Sequence, residues 1–373
     1  MKLVYFTHSL ASCWNHGNAH FLRGVLRELK HRGHEVLAFE PAAPWSLQNL
    51  LRDHGEAGLD AYRAAYPDLE SRAFRDVAEV EAALDGADAV VVHEWNEPGL
   101  VAALGRARRR GGTRFKLLFH DTHHRAVSDP EAIRRFDLEG YDGVLAFGGA
   151  LAEVYRRWGW GGRVWVWHEA ADTRLFRPPE RGGPREGLVW IGNWGDDERS
   201  AELESFLLRP ARAVGLTLDI HGVRYPDHAL RVLDEHGARY RGWLPNARAP
   251  EVFARHLATV HVPRRFYVDA LPGIPTIRVF EALACGIPLL SAPWRDAEGL
   301  FRPGEDYLVA RDGAEMARHM AAVRDDAALR RTLVANGLAA IRARHSCAHR
   351  AEELLGVLAG LGARADSKET IAE

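Results

Sequence analysis

Residues 273–290 read GIPTIRVFEALACGIPLL, an apolar helix that stops at a glycine and runs into an apolar strand. Thr276 is a good N-cap, Pro275 can open a helix or precede its cap, and Gly286 supplies the stop. Arg278 and Glu281 stand out among Ile, Val, Phe, Ala and Leu. A buried charge is costly unless something pairs with it. Their three-residue spacing puts both on one helix face, so an intrahelical ion pair is one reading. In the other, a ligand completes the arrangement. Arg278 lies in the first turn, where the macrodipole is positive and disfavours a cation. An anion seated on the free N–H groups there reverses the sign of that effect.

Working outward, strands alternate with helices in both directions. KLVYFT is a strand, HSLASCWNHGN a polar loop, AHFLRGVLRELKHRG an amphipathic helix closed by Gly33, and HEVLAFE a second strand. Residues 45–85 read as helical and acidic, Ala89–Val92 as a strand, GLVAALGRARRRGG as a helix, FKLLFHD and RVWVWHEA as strands. DTRLFRPPERGGPRE, with three prolines and two adjacent glycines, reads as a linker, after which the pattern restarts at GLVWIGNW. The expected units are a first α/β domain over 1–172, a linker over 173–186 and a second α/β domain over 187–344. A helix at about 345–363 crosses back to the first domain, and 364–373 forms a polar tail. Such alternation implies parallel sheets covered on both faces, with ligands beyond the carboxyl ends of the strands.

The chain has 373 residues, 47% hydrophobic and 27% charged, with net charge −2, which suits two soluble domains and argues against a general nucleic-acid binder. The basic residues are nearly all Arg, Lys standing only at 2, 30, 116 and 368, so a lone Arg signals little. Three scattered cysteines favour a reducing compartment, and no run is long enough to span a membrane. The expectation is a cytoplasmic protein, a peripheral membrane contact through RARRRGGTR being the minority reading. Phosphate-loop, GxGxxG, HExxH and GxSxG motifs are all missing, which removes the main support for kinase, dinucleotide oxidoreductase, zinc protease and α/β-hydrolase readings.

PGIPTIRVFEALACGIPLLSAP resembles the donor-binding segment of GT-B glycosyltransferases of the family-4 type, especially the spore-maturation-protein-like branch. HEAADTRLFRP is similar to that family's interdomain linker, and WIGNWGDDERS to the first loop of its donor domain. The resemblance implies two Rossmann-like doubly wound domains facing a cleft. It implies a donor site at Gly273, Ile274, Pro275, Thr276 and Ile277, with Thr276 and Ile277 offering N–H groups to a diphosphate and Arg278 beside it. It also implies that Glu281 binds ribose hydroxyls, that Leu244 lies beside the base, and that Asn193, Trp194 and Arg199 complete the site. The family often has a second glutamate seven residues earlier; here that position is Gly273, and Asp269 is a candidate substitute.

On the acceptor side the candidates are Asn15, His16, Gly17 and Asn18, in a loop where glycine allows close backbone approach. His120 and Asp121 end a strand and are expected to line the cleft as catalytic groups with Arg278. The cluster His120, Asp121, His123, His124, with His93 and Glu94, raises a metal reading, but the spacing of a second ligand cluster is missing and no metal is expected. Trp158, Trp160, Trp165 and Trp167 read as sheet packing. The expected activity is therefore retaining, metal-independent transfer of a hexosyl group from a nucleotide-sugar, UDP before GDP. The acceptor is a sugar, lipid, peptide or small molecule, and no cofactor is needed beyond the donor as co-substrate. A nucleotide-sugar epimerase and a non-catalytic nucleotide-sugar-binding partner are the rivals.

Overall fold

The computed structural model describes residues 1–76, 78–110, 113–195 and 197–363; the tail expected over 364–373 lies outside them. Among the described residues two sheets form. The first contains β1 (Lys2–Phe6), β2 (Glu35–Pro41), β3 (Ser71–Phe74), β4 (Ala89–His93), β5 (Lys116–Asp121), β6 (Gly143–Ala146) and β7 (Val164–Val166), ordered β3-β2-β1-β4-β5-β6-β7. The second contains β8 (Leu188–Ile191), β9 (Leu218–His221), β10 (Arg239–Tyr240), β11 (Ala258–His261), β12 (Leu289–Ser291) and β13 (Leu308–Val309), ordered β10-β9-β8-β11-β12-β13. The pairings are parallel, β1 aligning Leu3 with Ala89 and Phe6 with Val92, and β11 aligning Thr259 with Leu289. Ala89 to His93 are buried without a break, so this strand has no face to offer water and needs helices on both sides.

One element departs from the sequence reading. Within 45–85, read as helical, β3 pairs in parallel with β2. Its Arg72 and Ala73 are exposed and only Phe74 is buried, so an edge strand here carries too little apolar alternation to announce itself.

The helices that frame the cleft are α1 (Asn18–His31), α2 (Trp45–His54), α3 (Arg265–Asp269), α4 (Ile277–Ala284) and α5 (Cys347–Gly360). Phe21, Leu22, Val25, Leu26 and Leu29 put one stripe of α1 in the core. The C-terminal α5 packs on α1. Its N-terminus is capped by Ser346, whose hydroxyl accepts from His349 N–H at 3.4 Å, and Cys347 N–H bonds Ala171 O at 2.8 Å. Leu354 and Leu358 are fully buried beneath it, each worth about 1.5–3 kcal/mol of transfer from water. The helix thus returns to the first sheet's side after the second sheet is complete.

In both sheets the strand order reverses beside the first strand, between β1 and β4 and between β8 and β11. Loops leaving adjacent strands at such a point diverge and open a crevice. The two crevices meet: Asn193 Nδ2, after β8, donates to Asn15 Oδ1, after β1, at 2.7 Å.

Candidate functional site

Two connected cavities occupy that meeting point. One, about 220 Å³, is walled by Leu244, Asn246, Trp243, Trp190, Thr276 and Arg278 on the side of the second sheet. The other, about 380 Å³, reaches across to His8, Trp45, Trp95, His123, His124 and Glu169. Asn15, His16, Gly17, Asn193, Arg199, Thr276 and Ile277 border both.

The start of α4 forms the wall between them. Thr276 is the N-cap, but its side chain makes no capping hydrogen bond. Helix geometry leaves the first N–H groups without intrahelical partners, and Glu169 lies beside Ile277 in the wall of the larger cavity. Glu169 accepts from Asn18 Nδ2 at 2.8 Å. Burial raises its pKa to about 8, with Glu281 adding to the effect.

Three guanidinium groups surround this helix end. Arg199, 8% exposed, donates to Asn193 Oδ1 at 2.6 Å and to Asn193 O at 3.0 Å. Its Nε has no partner among the described residues. Burial, with Arg264 and Arg278 as like charges, pulls its pKa down to about 9. Arg264 donates to Glu198 Oε2 at 2.6 Å and to Asn193 Oδ1 at 3.1 Å. Arg278 lines the smaller cavity and pairs with Glu281. A buried guanidinium with two like charges beside it defines a place where an anion is stabilising.

Several expected residues stand elsewhere. Glu281 is fully buried, does not line the cavity, and is held by Arg278 and by Asn246 Nδ2 at 2.6 Å. His120 and Asp121 do not line the cleft, a correction to the expectation: both are fully buried. β5 keeps its pairing through Asp121, so the chain emerges only at Thr122, His123 and His124. His120 packs against Trp167 with ring centroids 4.8 Å apart, and burial lowers its pKa to about 3. Asp121 accepts from Tyr155 Oη at 2.6 Å. Trp194 belongs to the core of the second domain beside Tyr225.

Gly273, Ile274 and Pro275 are buried and do not border either cavity; Ile274 inserts among apolar side chains of the first domain. Gly273 has φ +92°, and a Cβ there lies 2.9 Å from Glu298 Cγ. The loop is therefore shaped so that no carboxylate fits at 273. Asp269 is exposed at the end of α3 and lines neither cavity, so it does not replace that group. The four tryptophans 158, 160, 165 and 167 line neither cavity. Among the described residues no three His, Cys, Asp or Glu side chains are grouped to hold a metal, and no helix is long and apolar enough to cross a membrane.

Sequence reasoning passed over Glu169, Asn246 and Arg264. The signal was available for two of them. Glu169 follows the last strand of the first sheet, and Arg264 opens the loop after β11, both at carboxyl ends of parallel strands.

Residues 199–356 match the model of a glycosyl transferase-like family. No curated protein matches the chain by sequence. Among solved structures the chain is similar to Anabaena HepE in complex with UDP, at 15% identity and TM-score 0.67, covering 96% of this chain and 100% of that one. It is similar to a point mutant of S. aureus TarM in complex with Fondaparinux, α-GlcNAc-glycerol and UDP, at 9% identity and TM-score 0.65, with the same coverage. In another TarM structure it spans 57% of that chain. The T4 phage β-glucosyltransferase in complex with its UDP-glucose substrate aligns at 12% identity and TM-score 0.57, over 97% and 99% of the two chains. These likenesses establish the fold as GT-B, two parallel-sheet α/β domains facing one cleft.

Proposed function

We propose that the protein is a glycosyltransferase of the family-4 type that takes a hexosyl group from a UDP-sugar, with retention and without a metal ion. The observation that carries this reading is the start of α4, lying between two cavities and ringed by Arg199, Arg264 and Arg278. A departing nucleoside diphosphate gains charge as the glycosidic bond breaks, and preorganised cations and N–H groups aimed at that charge lower the barrier. The arginines and the helix end supply positive charge at the place where other transferases use Mg²⁺. The match of residues 199–356 to a glycosyl transferase-like family supports the same reading. So do HepE, TarM and the phage enzyme, described as holding UDP or UDP-glucose in this fold.

In this reading the base sits in the smaller cavity against Leu244, with Asn246 and Trp243 close by, and the transferred sugar enters the larger one. The acceptor approaches from the first domain, past Asn15, His16 and Asn18. Retention fits the carboxylates of the larger cavity: Glu198 is engaged by Arg264, and Glu169 by Asn18. Neither stands free as a base over an acceptor hydroxyl, whereas a departing phosphate can take that proton itself. The cytoplasm, where nucleotide-sugars are made, is the proposed location.

The test is a thermal-shift panel of UDP, GDP, UDP-glucose, UDP-N-acetylglucosamine and GDP-mannose, since a ligand that binds the folded state raises apparent stability. At about 100 times Kd the gain is about 2.7 kcal/mol. UDP compounds are expected to stabilise and GDP compounds not to, with slow hydrolysis of the bound UDP-sugar seen by NMR. Release of an epimerised sugar instead assigns the protein to the epimerase alternative, and no response to any compound removes the donor reading.

A further inference from the structure

Glu169 is a buried carboxylate of the first domain that borders the same cavity as Thr276 and Ile277 at the start of α4. It follows β7 of the first sheet, yet it lies beside Ile277 of the second domain in the wall of the larger cavity. Its positioned partner, Asn18 Nδ2 at 2.8 Å, is neutral. The nearest guanidinium on the helix, Arg278, is engaged by Glu281. The Glu169 side chain therefore stands at the start of α4 without the ion pair that a buried carboxylate in such a place normally has. That helix start borders both cavities through Ile277, and the buried Nε of Arg199 and Nε2 of His16 in their walls have no partner among the described residues.

Resting on the donor reading above, we propose that Glu169 is a donor-site residue that leaves the Ile277 N–H to the incoming diphosphate and stays beside it as a neutral acid, donating its O–H to a phosphate oxygen. Two anions cannot share one helix end, so the carboxylate has to take up a proton or leave. Its surroundings favour the proton. Burial already brings its pKa to about 8, and a neutral carboxylic acid is a hydrogen-bond donor where a carboxylate is only an acceptor. The proton comes from solvent on binding and remains on Glu169; no covalent bond to Glu169 changes during transfer. In this role Glu169 adds a donor to the phosphate that departs.

The pH window is clean enough to read. Facing Glu169 are Asn18 from α1, Ile277, Arg278 and Glu281 from α4, and Tyr267 from α3. Burial lowers His16, His123 and His124, which share the cavity, below their ordinary value, so they are neutral above pH 7. Tyr267 is pushed up, away from the window. Arg199, brought to about 9, titrates at its upper edge and is common to every variant.

The experiment is calorimetric titration of UDP-glucose, whose diphosphate charge is constant over the range, into the full chain and into Glu169→Gln and Glu169→Ala. The wild type is expected to lose about fourfold in affinity from about pH 7 to about pH 8.5. In two buffers of different ionisation enthalpy it is expected to take up a fraction of a proton that grows across the same range. Glu169→Gln, which keeps an N–H donor, is expected to bind within about threefold of wild type at pH 7 and to show neither the slope nor the uptake. Glu169→Ala is expected to bind about tenfold more weakly at pH 7, the loss of one hydrogen bond to a charged group. Binding by the wild type without proton uptake, or a Gln variant that keeps the wild-type slope, overturns the proposal and leaves the donor reading standing. UDP-glucose bound by none of the three overturns both.

Discussion

Arg278 and Glu281 satisfy each other, and the pair still bears on a ligand. Glu281 is sealed behind Arg278, with Asn246 on its other oxygen and His20 Nδ1 3.4 Å away. Breaking a buried pair by removing one partner costs about 3–5 kcal/mol, because the other charge stays buried alone. Glu281→Ala is therefore expected to lower the unfolding free energy by about 3 kcal/mol in a urea titration. Glu281→Gln, still able to accept from Asn246, is expected to lose less. A Glu281→Ala protein as stable as wild type contradicts this packing. Gly273 carries a second prediction at this scale. Its φ of +92° disfavours any side chain, and Glu298 already fills the space. Gly273→Glu is expected to cost about 1–2 kcal/mol in the same titration and to leave donor affinity no better. The sequence announced the absence of a glutamate there, but the positive φ and the distant Glu298 that seals the space are properties of the folded loop.

At the scale of elements, what could be read was periodicity, and what could not was where each strand lets go. The α4 boundaries and the Thr276 cap followed from Pro275, Thr276 and Gly286 in the sequence. The end of β5 did not: three positions separate His120 and Asp121, locked in the sheet, from His123 and His124 in the cavity. Side chains alternate along a strand, so small errors in its end exchange buried for exposed groups. Helix contacts across the chain were equally hidden. Gly24 of α1 looked like any helix-interior glycine, but a Cβ there meets Cys347 Sγ at 2.5 Å and Asp172 Cβ at 2.8 Å. Gly356, on α5, meets nothing within 4 Å. The two glycines predict opposite outcomes on one helix pair. Gly24→Ala is expected to destabilise by about 1–3 kcal/mol through overpacking. Gly356→Ala is expected to stabilise by about 0.5–1 kcal/mol through helix propensity. Thermal melts of the two variants read the difference, and shifts of the same sign contradict the α1–α5 contact.

For the whole molecule, the decisive feature is how many ionisable groups the two domains bury in their uncharged forms. His16, His20, His93, His120, His261 and His345 all have pKa values pulled below 6.5 by burial, the last three to about 3. A histidine that stays neutral when folded binds fewer protons than when unfolded, so its contribution is present above pH 6.5 and is lost as pH falls below it. Glu94 and Glu169, raised to about 8, and Asp121, raised to about 6, act in the opposite sense. Their folded forms hold protons that the unfolded chain has released, so stability drains as pH rises from the ordinary carboxylate range toward the folded values. Between about pH 5 and 6 the lowered histidines, His8, His123 and His124 among them, outnumber the raised acids Glu94, Asp121, Glu169 and Glu281, so acidification costs stability. Above pH 6.5 Glu94 and Glu169 of this set still change, and the slope reverses. Stability is therefore expected to peak near pH 6.5 and to fall on both sides, with acid unfolding well above the range where surface carboxylates protonate. Glu169→Gln is expected to flatten the alkaline limb and, with one opposing acid removed, to steepen the acid limb. Thermal melts from about pH 4.5 to about pH 8.5 on both proteins read this directly. A wild type whose melting temperature still rises at pH 8, or a Gln variant with an unchanged alkaline limb, contradicts the burial of these carboxylates.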